Sequence, residues 1–182
     1  MERYIDAVTG EMMAEKPEHM TQLYGNRLVE KTHPRIVFRG LLDTLIAEAL
    51  IVQLTARERG EEPAAADVEQ VIGRLWQIMA AEVRETPLAE MQLLGMDEEA
   101  LRRASQNVRE TFGMDHPTPD CSMGRLCVEL NRLRARVREA EIAAIRALPE
   151  RTDLLRAMNR LSSAVYVIFC RQLSGWYGTM KE

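Results

Sequence analysis

Arg134, Arg138 and Glu141 recur at i, i+4 and i+7, so a helix carrying them presents all three on one face. That face lies beside an apolar stripe through Leu130, Leu133 and Val137. The same spacing fits a solvated helix face laced with i,i+4 ion pairs. Asp43 shares a stripe with Ile36, Gly40, Ile46, Ala47 and Leu50, which aims its carboxylate at apolar surroundings. A buried charge stripped of its partner costs about 3–5 kcal/mol, so Asp43 needs a cation, and the Arg134 face offers one. Later in the chain Asn159, Ser162, Ser163 and Tyr166 share a face, with Arg160 alongside. Asn is a poor mid-helix residue, so Asn159 serves either a hydrogen bond between packed helices or a ligand contact.

Near the start, Thr21, Gly25, Asn26, Arg27 and Lys31 combine a hydroxyl, an amide, a glycine and two cations. Polyphosphates are held by such mixtures of backbone N–H groups, hydroxyls and positive charges. Neither G-x-x-x-x-G-K-[ST] nor G-x-G-x-x-G occurs. A pair of E-x-x-H motifs is also lacking, which removes the usual di-iron bundle signature. His19, His33 and His116 are scattered, and no Ser or Cys sits in a nucleophile motif. Cys121, Cys127 and Cys170 form no CxxC pair, so three small buried thiols in a reducing compartment are expected.

The elements that must position these residues are helical. The chain has 182 residues, 46% hydrophobic and 5% aromatic, which suits a single domain rich in helix. Residues 1–33, with Gly10, Pro17 and Gly25, read as an irregular, partly extended leader holding the phosphate-binding segment. Residues 34–182 form the helical bundle domain. Helical spacing runs from Pro34 to Gly60, from Ala65 to about Val83, and from the Asp97 cap to about Thr111. A fourth helix, capped by Ser122, ends at Pro149, and a fifth runs from about Asp153 to Leu173. The predicted fold is therefore all-α, an antiparallel five-helix bundle. A net charge of -4 gives no general field for nucleic acid or anionic membrane. No apolar stretch reaches the roughly 20 residues of a membrane helix, and Met1–Tyr4 starts no signal-peptide pattern, so a cytoplasmic address is expected.

Three blocks together resemble the corrinoid (cobalamin) adenosyltransferases, closest to the ethanolamine-utilisation type and more distantly the propanediol-utilisation type. They are MTQLYGNRLVEKTHPRIVFRGLLDTLIAEAL (residues 20–50), LNRLRARVREAE (residues 130–141) and MNRLSSAVYV (residues 158–167). The family's T-x-L-x-G-x-R-x-x-x-K leader falls on Thr21, Leu23, Gly25, Arg27 and Lys31, and Asn26 lies within it. Its first-helix aspartate matches Asp43, its R-x-x-x-R-x-x-E signature matches Arg134, Arg138 and Glu141, and its N-R-L-S motif contains Asn159 and Arg160.

The resemblance implies a homotrimer with ATP, as its Mg²⁺ complex, held between neighbouring subunits. It implies transfer of the 5′-deoxyadenosyl group of ATP to Co(I) of a corrinoid such as cobalamin. Arg134 would pair Asp43, and Arg138 would face the triphosphate. A reductase and an adenosylcobalamin-dependent lyase or mutase are the implied partners, and association with a bacterial microcompartment is compatible with it. In relatives an aromatic residue in an F-x-x-P loop displaces the corrinoid's lower ligand. Here the text is HPTP, with His116 at that position and Phe112 upstream, and the role stays open between them. The family's N-terminal CxxC pair would fall at about Asp6 and Thr9, so no iron or zinc site is expected. A corrinoid-binding or delivery protein without efficient chemistry is the alternative, and a structural bundle partner a third.

Overall fold

The computed structural model describes residues 4–90 and 92–179; Met1–Arg3 lie outside the described residues. The leader is not irregular. Four strands, β1 (Tyr4–Asp6), β2 (Met12–Met13), β3 (Met20–Tyr24) and β4 (Arg27–Glu30), form a mixed sheet in the order β2-β1-β4-β3. β1 pairs antiparallel with β2 and parallel with β4, and β3 and β4 make an antiparallel hairpin. Gly25, at φ 54°, supplies the left-handed residue that lets this hairpin turn in two residues. Met20, Leu23, Leu28 and Val29 are buried, the adjacent Leu28 and Val29 on opposite faces of β4, and β3 packs against a helix described below.

Seven α-helices follow among the described residues: α1 (Pro34–Glu58), α2 (Glu62–Arg84), α3 (Glu98–Gln106), α4 (Val108–Phe112), α5 (Arg125–Ala147), α6 (Thr152–Leu173) and α7 (Trp176–Thr179). With the sheet, they overturn the all-α five-helix expectation: the fold mixes helices with a four-stranded sheet. The helix expected up to Thr111 breaks at Asn107, which leaves the helical region at φ -107°, ψ 59°. Ser122 does not cap the fourth long helix. It sits in a 3-10 turn, Cys121–Met123, where the Asp120 side chain accepts from Ser122 N at 2.7 Å.

The four long helices form the body, with α5 against α6 and α1 against both α2 and α5. Pro34 occupies the first turn of α1, and His33 Nδ1 accepts from Arg35 N at 3.2 Å, so the orphan amides of that end are partly satisfied. The core runs through Phe38, Leu42, Leu75, Ile78, Leu130, Leu133, Leu154, Met158 and Phe169, each under 2% exposed. Full burial of one such side chain stabilises by roughly 1.5–3 kcal/mol, which makes α5 and α6 a rigid platform for whatever they display.

Candidate active-site cleft

The face predicted from i, i+4 spacing forms one wall of a real concavity. Arg134 and Arg138 from α5, Ser162, Ser163 and Tyr166 from α6, Ser105 from α3, and His116, Pro117 and Pro119 from the following loop line a cleft of about 420 Å³. Arg134 is half-buried: its guanidinium lies 5.4 Å from the centre of the Tyr166 ring and donates from Nη2 to Asn131 Oδ1 at 3.4 Å. It has no carboxylate partner among the described residues, and its buried Nε has no acceptor. Arg138 is exposed in the cleft. One turn along, Asn159 Nδ2 donates to Glu141 Oε1 at 2.8 Å, so Asn159 makes the inter-helix hydrogen bond, one of the two alternatives its position left open. Arg160 is half-buried and does not line the cleft.

His116 is held at both ring nitrogens, with Nδ1 2.9 Å from the Tyr166 hydroxyl and Nε2 3.2 Å from the Gln106 carbonyl oxygen. Its ring lies nearly parallel to that of Tyr166, at 11° and 6.2 Å. Burial pushes the Tyr166 hydroxyl up to about 12, so it stays protonated at neutral pH. Phe112 does not reach the cleft; it packs edge-on against Trp176 at 6.0 Å. Tyr166, placed by sequence on one face with Asn159, Ser162 and Ser163 but given no role there, lines the cleft, and Ser105, Pro117 and Pro119 join it without having been anticipated. The spacing of Tyr166, four from Ser162 and seven from Asn159, carried the signal.

The leader residues gather on one hairpin. Thr21 is half-buried on β3, paired with Val29; Gly25 and Asn26 form the turn; Arg27 is exposed on β4; and Lys31 follows it, exposed. None of them lines the α5–α6 cleft within the chain. Where a CxxC pair was aligned, Asp6 Oδ1 instead accepts from Val8 N at 2.7 Å and Thr9 N at 2.9 Å, closing a tight turn. Cys121 is exposed while Cys127 and Cys170 are buried, so the expectation of three buried thiols holds for two.

Asp43 is not buried and makes no ion pair with Arg134 or any other described residue. The reason lies in α1, which is apolar on two sides. Phe38, Leu42, Leu45, Ala49, Val52 and Ala56 face the core, while Asp43, Ala47, Leu50 and Leu54 make an exposed stripe opposite. Periodicity alone does not tell which apolar side turns inward.

The deepest charge cluster was not anticipated at all. Glu82, 0% exposed, accepts from Arg35 Nε at 2.5 Å and from Arg39 Nε, while Arg35 also donates to Glu85 Oε1 at 2.7 Å and the Glu82 carbonyl at 3.0 Å. This network ties the start of α1 to the end of α2. A further cavity of about 330 Å³ at Gln70, Gly73, Arg74 and Gln77 holds none of the candidate residues. There Arg74 donates to Gln77 Oε1 at 2.9 Å and the Ala89 carbonyl at 2.8 Å, pinning the segment after α2.

The chain is 35% identical over 176 residues to Corrinoid adenosyltransferase EutT of Escherichia coli (strain K12), covering 93% of this chain and 64% of that protein. It is 36% identical over 162 residues to Corrinoid adenosyltransferase EutT of Salmonella typhimurium, covering 86% of this chain and 59% of the relative. The chain thus spans less than two thirds of the length of either relative. No solved structure gives a significant match. A profile described as Cobalamin adenosyltransferase matches residues 12–172, a range that takes in the β3–β4 hairpin and every residue lining the cleft. A match of that extent, together with the two relatives, establishes that the chain belongs to the cobalamin adenosyltransferase family.

Proposed function

We propose that this protein is an ATP:corrinoid adenosyltransferase, moving the 5′-deoxyadenosyl group of ATP onto Co(I) of a corrinoid and releasing triphosphate. The observation that carries it is the cleft in which Arg138 stands exposed beside a half-buried Arg134 that lacks an acidic partner among the described residues, above the half-buried Ser162, Ser163 and Tyr166. Such a surface suits an anionic leaving group. In the reaction the electron pair of Co(I) forms the Co–C5′ bond while the C5′–O bond breaks, and the triphosphate departs with that bond's pair. No side chain needs to act as acid or base. The protein's task is to align C5′ with cobalt and to stabilise charge building on the leaving oxygens, a task for Arg138, Arg27 and Lys31. The cleft's cations and hydroxyls suit phosphate oxygens and not a divalent cation, so Mg²⁺ enters bound to ATP.

Arg27 and Lys31 reach such a site if it is completed by a neighbouring subunit, as is Asp43, whose exposed stripe then meets Arg134 of the next copy. A homotrimer supplies that arrangement, with the leader and the helical body of each subunit working as one domain. Within this scheme the product passes to an adenosylcobalamin-dependent lyase or mutase, and a reductase supplies the electron for Co(I).

The test is an anaerobic assay with Mg-ATP and chemically reduced cob(I)alamin, without added iron or zinc, following light-sensitive adenosylcobalamin. Product above the protein-free control is expected. Tight corrinoid binding without product would make the protein a carrier instead.

A further inference from the structure

The cavity of about 330 Å³ beside the connection from α2 to α3 is walled by Arg74, which is 6% exposed. Two other charged residues lie as deep among the described residues, and both are matched: Glu82 by Arg35 and Arg39, and Asp67 by Arg171 at 2.8 Å. Arg74 is not matched. Its Nη1 and Nη2 donate to the neutral oxygens of Gln77 and Ala89, and its buried Nε has no acceptor. Burial lowers the pKa of this guanidinium from the usual arginine value, and Glu98, whose carboxylate also lies 3.9 Å from Arg156 Nε, offsets only part of that. A counter-charge brought to Arg74 would therefore be stabilising.

The hydrogen bonds around the cavity fix the sign of what fits it. Arginine and backbone N–H groups can only donate, so the two glutamine amides that receive them have a defined orientation. Gln77 Oε1 is taken by Arg74, and Gln70 Oε1 by Leu94 N at 2.8 Å. Gln70 Nε2 makes one long contact with Asp67 Oδ1 at 3.5 Å, and a primary amide has two N–H bonds, so both glutamines keep donors for a ligand. Gly73 adds no side chain, and a Cβ built there would meet nothing within 4 Å, so α2 leaves the cavity open at that point. Leu93, 5% exposed, supplies an apolar wall. Arg74 is the single cation among the described lining residues, and the exposed Glu90 lines the same cavity. A dianion such as phosphate would meet one charge of each sign, whereas a monoanion with a short carbon tail meets a cation, amide donors and Leu93.

We propose that this cavity binds a small aliphatic carboxylate, its oxygens on Arg74 and the glutamine N–H groups and its tail against Leu93. The cavity and the α5–α6 cleft share no described lining residue, so the site stands apart from the adenosyltransferase function above.

The test is calorimetric titration of the full chain with sodium butyrate at constant ionic strength, with neutral butyramide and inorganic phosphate as comparisons and the nitrogen-15 NMR signal of Arg74 Nε as the report on place. Butyrate is expected to bind with a dissociation constant below about 10 mM and to shift the Nε–H resonance, and butyramide is expected not to bind. Arg74→Gln should weaken binding by more than about tenfold. That variant also loses hydrogen bonds to Gln77 and Ala89, so Gly73→Leu tests the site without touching them. Leucine at this position fills the cavity from α2 and is the better helix former, so the protein should fold with an unchanged or higher melting temperature and bind no butyrate. Absence of butyrate binding by wild type, equal binding of butyramide, tighter binding of phosphate, or a folded Gly73→Leu protein that binds butyrate as wild type does would each overturn the proposal. Butyrate binding that leaves the Arg74 Nε signal unmoved would place the ligand elsewhere and overturn it as well.

Discussion

At the scale of single residues, the two most telling charges behave in opposite ways. Arg138 is exposed and supports no packing, so Arg138→Ala should leave thermal stability within about 0.5 kcal/mol of wild type. If it stabilises the departing triphosphate, kcat should fall on the order of 10²–10³-fold. Circular dichroism and the anaerobic assay check the two halves; retained turnover would return Arg138 to a solvated face. Glu82 is the reverse case, a fully buried carboxylate between Arg35 and Arg39. Glu82→Gln leaves two guanidinium groups short of their counter-charge and should destabilise by roughly 3–5 kcal/mol, measured by urea unfolding. Spacing announced the first residue and hid the second. Arg134, Arg138 and Glu141 advertise themselves by sharing a helical face, whereas Glu82 finds its partners 43 and 47 positions away, a pairing no local pattern encodes.

Among the elements, long helices were legible because apolar residues recur through many turns, and α1, α2, α5 and α6 lie close to where periodicity put them. The sheet was not legible. β1 and β2 have only three and two residues, and the parallel partner of β1 is β4, some twenty positions later. The start of α6 shows how a local side chain fixes an element. Asp153, in its first turn, accepts from Arg151 Nε at 2.9 Å and Nη2 at 2.8 Å, and from Leu88 N at 2.9 Å. The Arg151 guanidinium, acting against partial burial, holds this carboxyl well below the usual carboxylate range. A lowered folded pKa means stabilisation that is fully present above the unfolded value and is lost as pH falls toward the folded one. Asp153→Asn should therefore be less stable than wild type at neutral pH, and the gap should close as pH drops through and below the usual carboxylate range. Urea midpoints across that range would show it, and a pH-independent gap would contradict it.

For the whole molecule, the unexplained fact is the outer stripe of α1. Leu50 and Leu54 are 50% and 57% exposed in line with Asp43, and Ile142 and Ile145 of α5 are 54% and 51% exposed elsewhere on the body. A closed ring of three joins two different patches, and among the described residues α1 and α5 each expose one. Covering the α1 stripe with a neighbour would bury two leucines, gain roughly 1.5–3 kcal/mol for each fully buried side chain, and bring Asp43 to a cation it lacks in the isolated chain. Leu54→Glu should therefore convert the proposed trimer to monomers in sedimentation equilibrium. It should also make the melting temperature independent of protein concentration, whereas that of the wild type should rise with concentration. Because Leu54 does not line the cleft, loss of adenosyl transfer on dissociation would mean that the neighbour completes the site. A wild-type protein that sediments as a monomer, or a Leu54→Glu protein that stays assembled, would remove α1 from the interface and leave Asp43 a surface charge.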